Sequence, residues 1–128
     1  MYNSKINYNL IKRALDASEL RKKVISNNIA NINTKGYKKS YVTFEETLNK
    51  SIYELELKST NEKHMQYGTN YGEINVKKDK TSSMRLDGNN VDIDVEATNE
   101  AANTLMYNAL ISQANNRLST TKYIINGR

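Results

Sequence analysis

The residues able to carry chemistry are few and stand apart from one another. His64 is the only histidine among 128 residues, and there is no cysteine. Thiolate metal sites, thiol nucleophiles and disulfides are therefore excluded together. His64 lies in a polar stretch with no acidic partner at metal-ligand spacing, and a lone histidine in such surroundings is ordinarily solvated. A Ser-His-Asp relay would have to use that same histidine, and no strand-to-helix nucleophile elbow is present. The glycines at 36, 68, 72, 88 and 127 stand singly, so no phosphate-cradling loop is formed.

One acidic run invites a metal reading. In Asp87-Gly88-Asn89-Asn90-Val91-Asp92-Ile93-Asp94 oxygen donors alternate with other residues. A calcium loop, however, needs its glycine after three alternating donors and a glutamate six residues later, whereas here Gly88 directly follows the first aspartate. The run reads better as an Asp-Gly turn feeding a short extended segment, Val91 to Asp94, with acidic residues ahead of a helix's positive end. No catalytic residue, cofactor or metal is expected, and the chain is not expected to be an enzyme.

The elements around these residues look built for contact. From about Ile6 to Ile32 the apolar residues Leu10, Ile11, Ala14, Leu15, Ala17, Leu20, Val24, Ile25 and Ile29 fall on one broad helical face. Lys12, Asp16, Glu19, Lys23 and Asn27 draw a narrow polar stripe opposite. Asn3 or Ser4 is the expected cap. The helix is expected to stop at Asn33-Thr34-Lys35-Gly36, where Asn and Gly supply positive-φ positions.

A second helix is expected over Val95 to Ile125. Its apolar residues split between two faces: Ala102, Leu105, Met106, Ala109 and Leu110 on one, and Tyr107, Ile111, Ala114, Leu118 and Ile125 on the other. One of the two faces is expected to pair with the N-terminal helix and the other to remain as a contact for another chain. Between the helices, residues 37–48 alternate loosely, and a helical turn is possible from Phe44 to Tyr53. The stretch from about 54 to 90 is rich in Lys, Asn, Thr, Ser and Gly, with at best a short strand at Asn75 to Lys77. Such polar chain seldom offsets an ordering cost of roughly 1–2 kcal/mol per residue, so it is expected to be extended and mobile.

The fold class that follows is mainly α. Long N- and C-terminal helices pair as a coiled-coil-like hairpin, with a polar, poorly structured or short-β insert between them. The expected parts are residues 1–36 (axial helix and turn), 37–90 (insert) and 91–128 (second axial helix), together one helical domain. Composition agrees with a need for neighbours, since only 38% of residues are apolar, 19 are Asn, one is Phe and none is Trp. The net charge of +5 is spread over Arg21-Lys22-Lys23, Lys35 with Lys38-Lys39, and Lys77-Lys78 with Lys80. No run is long enough for a nucleic-acid arm. The alternative reading is a small basic helical module that binds nucleic acid or an acidic protein, and steep salt dependence would mark it.

The run Ala14-Leu15-Asp16-Ala17-Ser18, then Leu20 to Val24, then Ser26-Asn27-Asn28-Ile29-Ala30-Asn31-Ile32-Asn33-Thr34-Lys35-Gly36-Tyr37-Lys38 closely resembles the N-terminal signature of flagellar basal-body rod and hook proteins. Val42 to Leu48 fits the same family. Asp87-Gly88-Asn89-Asn90-Val91-Asp92 resembles the loop that leads into its C-terminal helix. One departure is Lys35, which stands where the family turn usually has proline.

The resemblance implies a structural subunit of the proximal rod that stacks helically and transmits motor torque. Its implied partners are copies of itself, other rod proteins, a FliE-like rod-base adaptor, and the membrane ring and export gate. Its implied place is the basal body outside the cytoplasmic membrane. Export without a cleaved signal is expected, since MYNSKINYNLIKRALD lacks an uninterrupted apolar core and a cleavage site. The residues expected to pack between subunits or shape the turns are Asn27, Asn28, Ile29, Ala30, Asn31, Ile32, Asn33, Gly36, Tyr37, Asp87, Gly88, Asn89, Asn90, Val91, Asp92, Leu105, Ala109, Ile111, Leu118 and Ile125. The asparagine amides would pair across packed helices, with Ile29, Ala30 and Ile32 buried between them.

Overall fold

Both ends of the chain form long helices because neither run contains a glycine or proline to interrupt the ladder. The computed structural model describes residues 2–49, 72–81 and 85–127, the side chains of 2–6 excepted. The N-terminal helix covers Tyr2–Ala30 and the C-terminal helix Ile93–Asn126. At 1.5 Å per residue they are about 44 and 51 Å long. Asn3 and Ser4 lie inside the first helix, so neither caps it. Its expected polar stripe is where the spacing put it: Lys12, Asp16, Glu19, Lys23 and Asn27 are all exposed. Glu19 and Lys23, one turn apart, form an ion pair at 2.8 Å. The hydrogen bond and charge of Lys23 hold the Glu19 carboxyl below its ordinary range.

The C-terminal helix begins two residues earlier than the spacing suggested, because Asp92 caps it. The Asp92 side chain accepts from the N–H groups of Asp94 and Val95, and Asp94 and Glu96 occupy the first turn. Ile93 and Asp94 are thus helical, not extended.

The helices run antiparallel, as shown by Asn28 bonding to Glu96 and Ser18 to Asn103. Neither apolar face turns inward as a whole. Leu105 is 72% exposed, and Ala102 and Ala109 are exposed too, while Met106 accepts through its sulfur from Arg21 of the first helix and Leu110 is half-buried. The stripe turned inward is Glu96, Glu100, Asn103, Leu110, Ala114 and Arg117, of which Glu96 and Asn103 are fully buried. Glu96, Asn103, Leu110 and Arg117 recur every seven residues, the repeat of a coiled-coil seam. Polar partners on the first helix select this orientation, and apolar periodicity is blind to them.

Between the helices, β1 (Ser40–Thr43) and β2 (Asn75–Lys78) pair antiparallel, with Ser40 opposite Lys78 and Thr43 opposite Asn75. The strand expected at Asn75 to Lys77 is present and one residue longer. Residues 45–49 are helical, while the remainder of the turn expected to Tyr53, His64 and most of the polar insert lie outside the described residues. Phe44 and Val42 are buried against the first helix together with Ala17, Val24, Ile25 and Val91. Arg21 makes a bidentate contact with Glu45 at 2.9 and 3.0 Å, tying the short helix to the long one. Ahead of β2, the Gly72 carbonyl accepts from Arg13 at 2.9 Å. A Cβ on Gly72 would lie 3.1 Å from the Leu48 backbone, so only glycine permits this approach.

Candidate functional site

The N-terminal helix tightens as it ends. Ile32 N–H donates to Ile29 O and Thr34 N–H to Asn31 O, both three-residue turns. Tyr37 N–H then donates to Thr34 O with Gly36 at φ +72°. A positive φ at the third position makes Thr34–Tyr37 a type II turn, which calls for glycine at Gly36 and favours proline at the position of Lys35. No described residue other than glycine has positive φ, so Asn33 does not contribute the left-handed position expected of it.

Three carbonyls around this end are capped by one distant residue. Asn89 is completely buried, and its Nδ2 donates to the carbonyls of Asn31, Ile32 and Thr34 at 2.9, 2.9 and 3.0 Å. Its Oδ1 accepts from Val91 N–H at 2.8 Å. Arg85 adds a second donor to Ile32 O and pairs with Asp87 at 2.7 Å. The backbones of the two turns also join, through Gly36 N–H to Asp87 O at 2.8 Å and Asn90 N–H to Tyr37 O at 3.4 Å. Asn90 Oδ1 receives Lys39 N–H at 2.7 Å. Gly88, at φ +75°, lies against Gly36. The two turn motifs, 50 residues apart in sequence, form a single clasp. Asp87 is occupied there, its Oδ1 accepting from Asn89 N–H, and Asp92 serves as a helix cap.

Asn28 is the second centre. Its Nδ2 donates to Ser40 O at 2.8 Å and to Glu96 Oε2 at 3.0 Å, and its Oδ1 accepts from Ser40 N–H at 2.9 Å and Tyr37 O–H at 3.2 Å. These four bonds use its full amide capacity. Ser18 and Asn103 exchange two more bonds a few turns away, at 2.9 and 3.0 Å. The buried set is thus half polar: Ser18, Asn28, Thr43, Asn89, Glu96 and Asn103. Among the described residues no buried side-chain polar atom lacks a partner. Nearby, Asp79 accepts from Thr81 N–H at 2.9 Å and pairs with Lys39 at 3.7 Å. The Thr81 donors first, and Lys39 after them, hold its carboxyl below the ordinary 3.8.

The expected site residues therefore separate into two groups. Asn28, Asn31, Ile32, Gly36, Tyr37, Asp87, Gly88, Asn89, Asn90, Val91 and Asp92 come together at or beside the clasp. Asn31 does so locally, its side chain donating to Asn27 O at 2.8 Å. Ile29 is half-buried, whereas Asn27, Ala30 and Asn33 are exposed, so Ala30 is not buried between helices as expected. Leu105, Ala109, Ile111, Leu118 and Ile125 are exposed along the C-terminal helix, far from the clasp in sequence. Apolar periodicity missed Glu96, Asn103, Ser18 and Arg85. For Glu96 and Asn103 a signal existed in their seven-residue spacing to Leu110 and Arg117.

Among known proteins, the family described as "Flagella basal body rod protein" matches residues 12–38, the stretch from mid-helix to the clasped turn. "Flagellar basal body rod protein FlgB" of Bacillus subtilis is 32% identical over 117 residues, 91% of this chain and 91% of that one. The FlgB of Borrelia hermsii is 39% identical over 107 residues, covering 77% of this chain and 79% of its own. That of Buchnera aphidicola subsp. Acyrthosiphon pisum is 30% identical over 134 residues, 99% of this chain and all of the other. Identity at this level over most of the chain means that the chain belongs to the flagellar basal body rod protein family, with the proteins called FlgB.

Proposed function

We propose that the chain is a structural subunit of the flagellar rod that packs against copies of itself and other rod proteins through the exposed faces of its C-terminal helix. The observation that supports this is the apolar line Tyr107, Ile111, Leu118 and Ile125, all exposed, with Leu105 on a second face. That line runs about 27 Å along the helix. A solvated apolar stripe of this length is a contact awaiting another chain. The clasp holds the two helices in one register, so that Asn27 to Tyr37 and Asp87 to Asp92 present a fixed end to neighbours. Contacts between unlike faces continue as a helical stack instead of closing into a ring.

In this reading the two helices, within residues 1–36 and 91–128, are the axial parts, and residues 37–90 are an insert between them. The subunit sits at the base of the rod outside the cytoplasmic membrane, beside a FliE-like adaptor, the membrane ring and the export gate. It arrives by flagellar type III export and works mechanically, without catalysis, passing torque outward. No described helix is long and apolar enough to cross a membrane. Deleting the gene should give cells that do not swim and basal bodies that lack a rod, with both defects restored by the intact gene. Normal swimming in the deletion strain would end this reading.

A further inference from the structure

Among the described residues, the two edges of the two-stranded ribbon differ. Asp79 N–H donates to Lys39 O at 2.8 Å, which makes residues 39 and 79 a hydrogen-bonded pair. Antiparallel pairs alternate, so with Ser40 opposite Lys78 and Val42 opposite Val76, these two pairs point their backbone N–H and C=O groups away from the partner strand. On β1 the outward groups of Ser40 are met by Asn28, whose side-chain amide accepts from Ser40 N–H and donates to Ser40 O in the manner of a neighbouring peptide. Those of Val42 have no hydrogen-bond partner among the described residues and are shielded, because Val42 is buried against the first helix. On β2 the outward groups of Val76 and Lys78 meet nothing among the described residues, and all four residues of the strand are exposed.

The charge along that edge is of one sign. Lys77, Lys78 and Lys80 are exposed and in no ion pair among the described residues, whereas Lys39 is bound to Asp79 and Lys38 donates to Thr81 O. Tyr41, opposite Lys77, adds a half-exposed aromatic ring. Lysine on an edge strand commonly guards against self-pairing, and here it does so, because a second copy of this edge would set three lysines against three. A nucleic acid would satisfy the charge but has no groups to complete a β-ladder. We propose that the open edge of β2 is a docking site for an extended, acidic segment of a partner protein, added as a third strand. This surface is distinct from the helix faces assigned to rod stacking.

The test uses the full chain, isotope-labelled for amide exchange, with three probes: a blocked heptapeptide of alternating Glu and Val, the same peptide N-methylated at alternate residues, and anionic phospholipid vesicles. The plain peptide should slow exchange at the Val76 and Lys78 amides about tenfold or more, while leaving the already bonded Asp79 amide unchanged. Equal protection by the N-methylated peptide, protection by vesicles but not peptide, or no protection at all would each overturn the proposal. Val76→Pro removes only an outward N–H and should weaken the peptide about three- to tenfold. Reversing Lys77, Lys78 and Lys80 together to Glu should weaken the acidic peptide at least about tenfold and admit a Lys/Val peptide instead. Should the proline variant lose the ribbon, seen as loss of Asp79 protection, the reversed variant decides, and its undiminished binding of the acidic peptide would refute the site.

Discussion

The two ends of the helical pair are built on opposite rules. At the clasped end, every described polar side chain that is buried is bonded: Asn89 to three carbonyls, Asn28 to Glu96, Ser40 and Tyr37, and, a few turns along, Ser18 to Asn103. Toward the end of the C-terminal helix, apolar side chains are left in solvent, with Leu118 53% and Ile125 76% exposed. Water is thus excluded where hydrogen bonds fix geometry and admitted where burial would yield the most energy. Burying a large aliphatic side chain is worth about 1.5–3 kcal/mol. Among the described residues, the clasped end satisfies its polar groups within one chain, and the far end leaves its apolar groups in solvent.

This contrast can be broken from either side. Replacing Leu118 and Ile125 together by Glu should abolish swimming while leaving the thermal melt of the purified chain within about 0.5 kcal/mol of the parent. A destabilised monomer would mean that the far end is packed internally. Asn28→Ala should act oppositely, costing about 3 kcal/mol in denaturant titration, because it strands Ser40, Tyr37 and the buried Glu96 carboxylate at once. Asn89→Ala should cost about 2 kcal/mol, and hydrogen exchange should show the loss concentrated at residues 31–37. The smallest effect sharpens the comparison. Lys35→Pro places proline at the second position of the Thr34–Tyr37 turn, where Lys35 N–H donates to no described group, and should stabilise the clasp by about 0.4–1 kcal/mol. A loss instead would show that the Lys35 backbone does not occupy the type II conformation.

Much of this was legible in the residues, for reasons that differ by region. The polar stripe from Lys12 to Asn27 marked the outer face of the first helix because spacing alone decides it. Gly36 and Gly88 marked turns because few other residues adopt their φ. The pairing face of the second helix was not legible, since Leu105 and Ala109 are more apolar than Glu96 and Asn103 yet are the exposed ones. Buried amides and carboxylates are chosen by partners 68 and 85 residues away, and no local pattern encodes such distances. The same limit hid the clasp, whose halves each resembled an ordinary turn.

The Asn89 amide also governs time. Its hold on the carbonyls of Asn31, Ile32 and Thr34 means that the first helix is written early in the chain but closed by a residue made more than fifty positions later. Long loop closures slow folding. A growing chain therefore leaves these carbonyls uncapped until residue 89 is available, so the order of the sequence itself delays the moment at which this turn becomes stiff.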